Sequence, residues 1–172
     1  MTGEHHVTPG SPSPSGLDAL ALSIATLGPV GRMPKAPGTW GSAAALVVSP
    51  WLFQPLPLAA RCAALVGVLA VGTWAAGRAG RVLGKEDPGC VVVDELLGQW
   101  TAFAPFHLGS FTSSTPWELL ALFGLFRVFD ILKPWPIRWA DSKVRGGFGV
   151  MLDDLLAGLM AAALYALVRP FV

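Results

Sequence analysis

The chain predicts an all-α fold, a polytopic membrane bundle of about four to five membrane helices preceded by an N-terminal re-entrant or interfacial helix. Three observations carry that expectation. Of 172 residues, 53% are hydrophobic and 13% charged, and the mean hydropathy is +0.56, which is more apolar than a typical soluble domain. Three stretches, 36–60, 96–117 and 155–168, carry no charge apart from His107 if protonated. The charges that interrupt apolar sequence gather in three clusters: Asp94 with Glu95, Asp153 with Asp154, and Arg127, Asp130 and Lys133. Charge beside lipid-length apolar sequence is costly, so such clusters mark a boundary or a site. None of the stretches is a long run of Leu, Ile and Val, which implies short or polar-ended spans. A soluble helical bundle with an oversized core is the alternative.

Taken in order, residues 1–15 are rich in Pro, Ser, Gly and His and read as a disordered tail, leaving 16–172 as one membrane-embedded domain. No basic region leads into a long apolar core there, so a removable signal peptide is not expected. Residues 17–31 are apolar but short and end Gly28-Pro29-Val30-Gly31, which suits a re-entrant or interfacial helix as well as a span. Two prolines and two glycines in 34–42 predict a structured loop. Membrane helices then follow at 42–56, stopped by Pro55 and Pro57, and at 58–77. After a polar connection over 78–89, further helices are expected at 94–108, 117–133 and 152–168.

Chain parity tests this arrangement. If the third helix leaves the side that holds Asp94 and Glu95, the fourth must return Asp130 and Lys133 to that side, and the fifth leaves it again from Asp153 and Asp154. Arg32, Lys35, Arg78, Arg81, Lys85, Arg138, Lys143 and Arg145 fall on the same face, whereas Arg61 and Arg169 fall opposite. By the positive-inside rule the shared face is cytoplasmic.

Composition removes several function classes. A formal charge of +1 lacks the basic stripe of a nucleic-acid protein. Cys62 and Cys90 make neither a disulfide framework nor a zinc site and read as small apolar residues. Neither has the arginine spacing of a cysteine phosphatase loop, and no Asp-x-Asp-x-Thr stretch occurs. His5 and His6 lie in the tail and His107 on the far face, so histidine nucleophiles and Ser-His-Asp triads lack parts. The echo of Val93-Asp94-Glu95-Leu96-Leu97 in Leu152-Asp153-Asp154-Leu155-Leu156 is explained by two amphiphilic helix starts and supports no repeat.

What remains is carboxylate chemistry. A single acid pair at a helix start is explained by dipole complementarity and capping. Two pairs plus Asp130 on one face repel one another unless cations neutralise them, and hard oxygen ligands suit Mg²⁺, which is commonly shared with substrate phosphate. Arg127, Asp130 and Lys133 recur at three-residue intervals along one helical face. They form either a salt-bridge ladder or a phosphate-binding group in which Arg127, a turn deeper, needs a partner. Residues 34–42 offer Lys35, Thr39, Ser42 and backbone N–H groups before a helix, suiting either an anion cradle or a plain connector. They do not have P-loop spacing. Gly146-Gly147-Phe148-Gly149 reads as a close turn beneath Asp153 and Asp154. The tryptophans, Trp40, Trp100, Trp117, Trp135 and Trp139 among them, read as interface anchors.

Four blocks then carry a family resemblance: Lys35-Ala36-Pro37-Gly38-Thr39-Trp40-Gly41-Ser42; Val93-Asp94-Glu95 with Gly98; Phe126 to Ile137, containing Lys133-Pro134-Trp135-Pro136; and Gly146 to Asp154 with Gly158. In order and spacing, over about residues 20–165, the chain resembles the bacterial phosphatidylglycerophosphatase A family. The resemblance implies an integral, multi-pass enzyme of the bacterial cytoplasmic membrane that uses Mg²⁺ to hydrolyse phosphatidylglycerophosphate to phosphatidylglycerol and phosphate. On that reading Asp94, Glu95, Asp153 and Asp154 hold Mg²⁺ and activate water. Arg127, Lys133 and Lys35 bind phosphate with help from Thr39 and Ser42, and Asp130 is a further ligand or the partner of Arg127. A carboxylate nucleophile is the alternative to water. The rival functions are a phosphatase or phosphotransferase for another lipid phosphate, although no CDP-alcohol transferase signature is seen, and a small transporter.

Overall fold

The structure, a computed structural model, describes residues 15–106 and 115–171. The tail up to residue 14 and His107 lie outside the described residues. Seven α-helices and no strand occur among the described residues: α1 (Gly16–Ala25), α2 (Pro37–Leu52), α3 (Leu58–Leu83), α4 (Val93–Phe103), α5 (Thr115–Leu132), α6 (Ile137–Lys143) and α7 (Gly146–Val168). The fold is all-α as expected. The expected count of membrane helices is not met, because among the described residues only α3 and α7 are long and apolar enough to cross a bilayer. With 16 and 11 residues, α2 and α4 span about 24 Å and 17 Å at 1.5 Å per residue, short of a hydrocarbon core of about 30 Å. The 18 residues of α5 include Glu118, Arg127 and Asp130. Residues 16–32 form a ten-residue helix and a short 3-10 turn, which is less than a span.

Helix boundaries differ from expectation where Pro and Gly mislead. Residues 37–42 are not a loop but the start of α2. Pro37 occupies its first turn, where the absent N–H would have had no partner, and Lys35 and Ala36 precede it in the left-handed region at φ 63° and 47°. Similarly, Gly147 and Gly149 belong to the first turn of α7 and are buried. A Cβ on Gly147 would strike Thr73 O and the Gly77 backbone of α3, so glycine lets the two long helices touch. Asp153 and Asp154 therefore sit two turns inside α7 rather than at its start. The short α6 was not anticipated.

The central helix, α7, packs against α3, α4, α5 and α6. Its closest neighbour is α4, where a Cβ on Gly158 would collide with Gly98 O and one on Gly98 with the Phe126 ring and Asp154 O. One apolar cluster joins Phe53, Phe103, Leu122, Phe126, Ile137, Ala157 and Ala161. A second joins Ala25, Ala75, Ala79, Val93, Leu97 and Met151. Trp100 is part of this packing rather than an interface anchor: it stacks on Phe53 at 4.8 Å and donates to Ala45 O at 3.1 Å. Trp40, Trp117, Trp135 and Trp139 are exposed.

The two ends of the bundle differ in chemistry. At one end Arg61, 3% exposed, donates to the carbonyls of Gln54 and Leu56 after α2 and of Ala104 and Phe106 after α4. Arg169 pairs there with Glu118 at 3.1 Å. All three acid clusters lie at the other end, as chain parity requires.

Candidate functional site: a carboxylate centre beside two anchored cations

Short side chains on rigid helices build the centre. Asp94 and Glu95 project from the first turn of α4 and Asp154 from within α7, and carboxylate oxygens of these three lie within 4.8 Å of one another. Asp154 is 4% exposed. Gly98 and Gly158 make this convergence possible, since a side chain at either would push α4 and α7 apart. Gly38 does the same for α2, because a Cβ there would strike Glu95 Oε1.

A cation fits this donor set. Asp94 Oδ1, Glu95 Oε2 and Asp154 Oδ2 are buried and have no hydrogen-bond partner among the described residues. Leaving buried carboxylate oxygens unpaired is expensive. One carboxylate oxygen from each of the three residues lies within 4.8 Å of the others, and with Asp130 and Asp153 adding negative charge around Asp154 the group meets the requirement of a hard divalent ion for oxygen ligands.

Arg127 flanks the centre. Its Nη1 lies 2.8 Å from Asp130 Oδ2, one turn along α5, and 4.0 Å from Glu95 Oε1. The same nitrogen donates to Ser42 Oγ at 3.2 Å and Nη2 donates to Thr39 Oγ1 at 3.5 Å. Thr39 and Ser42 thus hold the guanidinium from α2. Asp130 pairs with Arg127.

Lys133 flanks the other side. It ends α5 at φ 43°, a left-handed conformation that costs a non-glycine residue about 1–2 kcal/mol. The turn directs its ammonium to Asp153 Oδ2 and Asp141 Oδ1, each at 2.5 Å. Burial works against the charged amine, but the two carboxylates outweigh it and hold the Lys133 pKa above the ordinary lysine value. The other oxygen of Asp153 accepts the Asp154 N–H at 3.0 Å.

The structure therefore brings together nine of the ten expected residues. Asp94, Glu95 and Asp154 form the centre, Arg127, Asp130, Thr39 and Ser42 one flank, and Lys133 with Asp153 the other. Successive residues on a helix point about 100° apart, which is why Asp153 leaves the cluster that Asp154 joins. Lys35 is exposed and makes no ion pair among the described residues. Asp141, on α6, was not singled out by sequence. Its one signal is a position eight residues after Lys133 across a Pro-Trp-Pro elbow, a relation that no helical period reveals. A cavity of about 230 Å³ lined by Glu86, Asp94, Asp141, Arg145 and Asp153, among others, opens beside the centre.

The family model for phosphatidylglycerophosphatase A matches residues 23–169, a span that holds every residue of this site. The chain belongs to the phosphatidylglycerophosphatase A family. It is 33% identical over 141 residues to phosphatidylglycerophosphatase A of Escherichia coli K12, covering 78% of this chain and 74% of that protein. With the Haemophilus influenzae protein of the same name, identity is 36% over 132 residues, or 76% and 77% of the two chains. A Bacteroides thetaiotaomicron protein provisionally named a phosphatidylinositol-3-phosphatase is 40% identical over 143 residues, covering 81% and 87%. No solved structure matches the chain.

Proposed function

We propose that this chain is a Mg²⁺-dependent phosphatase that hydrolyses phosphatidylglycerophosphate to phosphatidylglycerol and phosphate in the bacterial cytoplasmic membrane, with its centre open to the cytoplasmic leaflet. The observation that carries the reading is the convergence of Asp94, Glu95 and Asp154 beside Arg127, which Asp130, Ser42 and Thr39 hold in place. Asp94, Glu95 and Asp154 would hold the cation. When bound there, a divalent cation neutralises the carboxylates and polarises a phosphoryl oxygen. Arg127 presents a rigid fork to the phosphate, since its remaining N–H groups suit bidentate oxygen recognition. The Lys133 ammonium stands on the opposite flank, so the two cations stabilise charge on the equatorial oxygens as the ester bond breaks. Asp153 orients Lys133 and, through its second oxygen, the Asp154 backbone. Lys35 lies at the rim, where it attracts the anionic head group. The excess of bases at this end supports the cytoplasmic orientation through the positive-inside rule.

Phosphate release by the purified full-length protein tests the reading, with phosphatidylglycerophosphate set against phosphatidic acid, phosphatidylinositol 3-phosphate and a soluble phosphomonoester. Release from phosphatidylglycerophosphate that requires Mg²⁺ and stops with EDTA is expected. Preference for phosphatidylinositol 3-phosphate would instead align the chain with the Bacteroides relative. Absence of release, or release that persists in EDTA, would defeat the proposal.

A further inference from the structure

We infer that Asp141 is a positioning residue for the phosphate site: it preorganises the Lys133 ammonium beside Asp153 before substrate arrives. The inference rests on the phosphatase reading above and adds to it a residue on α6, outside the acid clusters.

The geometry begins with Lys133. Its left-handed backbone at φ 43° is a conformation that favours glycine, and helix ends commonly place glycine there. A lysine in that position turns its side chain back across the end of the helix. The ammonium then meets Asp153 Oδ2 from α7 and Asp141 Oδ1 from α6, both at 2.5 Å. An ammonium has three N–H donors, so two are engaged and the third is left for a phosphate oxygen. Asp153 is only 8% exposed and is held at both oxygens, by Lys133 and by the Asp154 N–H. Asp141 is half-exposed, and its position comes from α6, where Ile137 and Ala140 are buried in the bundle. A chain of contacts thus runs from Asp141 through Lys133 and Asp153 to the backbone of Asp154 in the carboxylate centre. Without Asp141 the lysine keeps its charge and its contact with Asp153 but loses the second restraint on its long side chain. Ordering that side chain is then paid for when the phosphate binds, which places the loss in KM and leaves kcat little changed.

The experiment is a double-mutant cycle in the purified full-length protein with phosphatidylglycerophosphate and Mg²⁺, comparing wild type, Asp141→Asn, Lys133→Gln and the double variant. Asp141→Asn is expected to raise KM about tenfold, which is the scale of one charge-assisted hydrogen bond, and to leave kcat within about twofold. Asp141→Glu should restore most of the loss. In the Lys133→Gln background, Asp141→Asn should change KM less than about twofold, because its target is gone. If Lys133→Gln has no measurable turnover, calorimetric binding of inorganic phosphate with Mg²⁺ to the same four proteins gives the cycle without catalysis. An unchanged or lowered KM in Asp141→Asn, or the same penalty with and without Lys133, overturns the inference. A lowered melting temperature with unchanged KM would show that Asp141 merely fastens α6. Failure of the underlying reading looks different: the wild type itself would release no phosphate, or Lys133→Gln would bind phosphate as the wild type does.

Discussion

Arg127 and Asp154 are the side chains for which the chemistry allows least substitution. The Arg127 guanidinium is held by three groups at once, Asp130, Ser42 and Thr39, and only a planar fork can meet all of them while keeping donors for the proposed phosphate. Arg127→Lys keeps the charge but not the fork, so kcat/KM for phosphatidylglycerophosphate should fall by about 10- to 100-fold, the worth of one charged hydrogen bond. Arg127→Ala should abolish turnover. A lysine variant with wild-type kinetics would show that charge alone is needed and would sink the assignment of Thr39 and Ser42 as its supports. Asp154→Asn replaces one of three clustered carboxylates by a neutral amide and, on the proposed reading, should abolish phosphate release while the protein remains folded. Retained turnover there would remove Asp154 from the centre.

At the scale of the elements, the site depends on how closely α4 and α7 approach. A Cβ on Gly158 would meet the Gly98 carbonyl oxygen, and backbone cannot swing aside as a side-chain tip can. Gly158→Ala should therefore destabilise the protein by about 1–3 kcal/mol, the usual penalty of overpacking. It should also reduce turnover, because moving α4 carries Asp94 and Glu95 away from Asp154. A variant with unaltered thermal stability and activity would refute the close approach. The attachment of α1 is electrostatic in part. Ser15 and then Arg78 hydrogen-bond the Asp18 carboxylate, with Arg78 Nε at 2.6 Å, and lower its pKa below 3.8. A lowered acid pKa contributes stability above the unfolded value and loses it as pH falls through the folded value. Asp18→Asn should accordingly speed hydrogen exchange in α1 relative to wild type at pH 5 to 7, and the difference should vanish only below the ordinary aspartate range. Equal exchange at neutral pH would show that apolar packing alone holds α1.

For the whole molecule, what the sequence discloses and what it hides have separate physical causes. Alternating helix direction is a property of the chain, so the meeting of Asp94, Glu95, Asp130, Lys133, Asp153 and Asp154 at one end could be read without coordinates. Helix starts at Pro37 and Gly146 were hidden because proline in a first turn and glycine at a helix contact look like breakers in one dimension. The division of labour between Asp153 and Asp154, and the role of Asp141, depend on side-chain direction, which adjacency in sequence does not encode. Parity also makes the two ends of the bundle chemically unequal, with Arg61 and Arg169 at one and the carboxylate centre at the other. That asymmetry predicts a fixed orientation. Pro55, itself exposed in the α2–α3 turn, and Lys85, exposed just beyond α3, stand at opposite ends of a 26-residue helix, about 39 Å long. In a protein with Cys62 and Cys90 replaced by serine, a membrane-impermeant maleimide should label Lys85→Cys only in inverted vesicles and Pro55→Cys only in right-side-out ones. The reverse pattern would place the carboxylate centre on the outer face, against the positive-inside assignment, and labelling of both from one side would mean that α3 does not cross the bilayer.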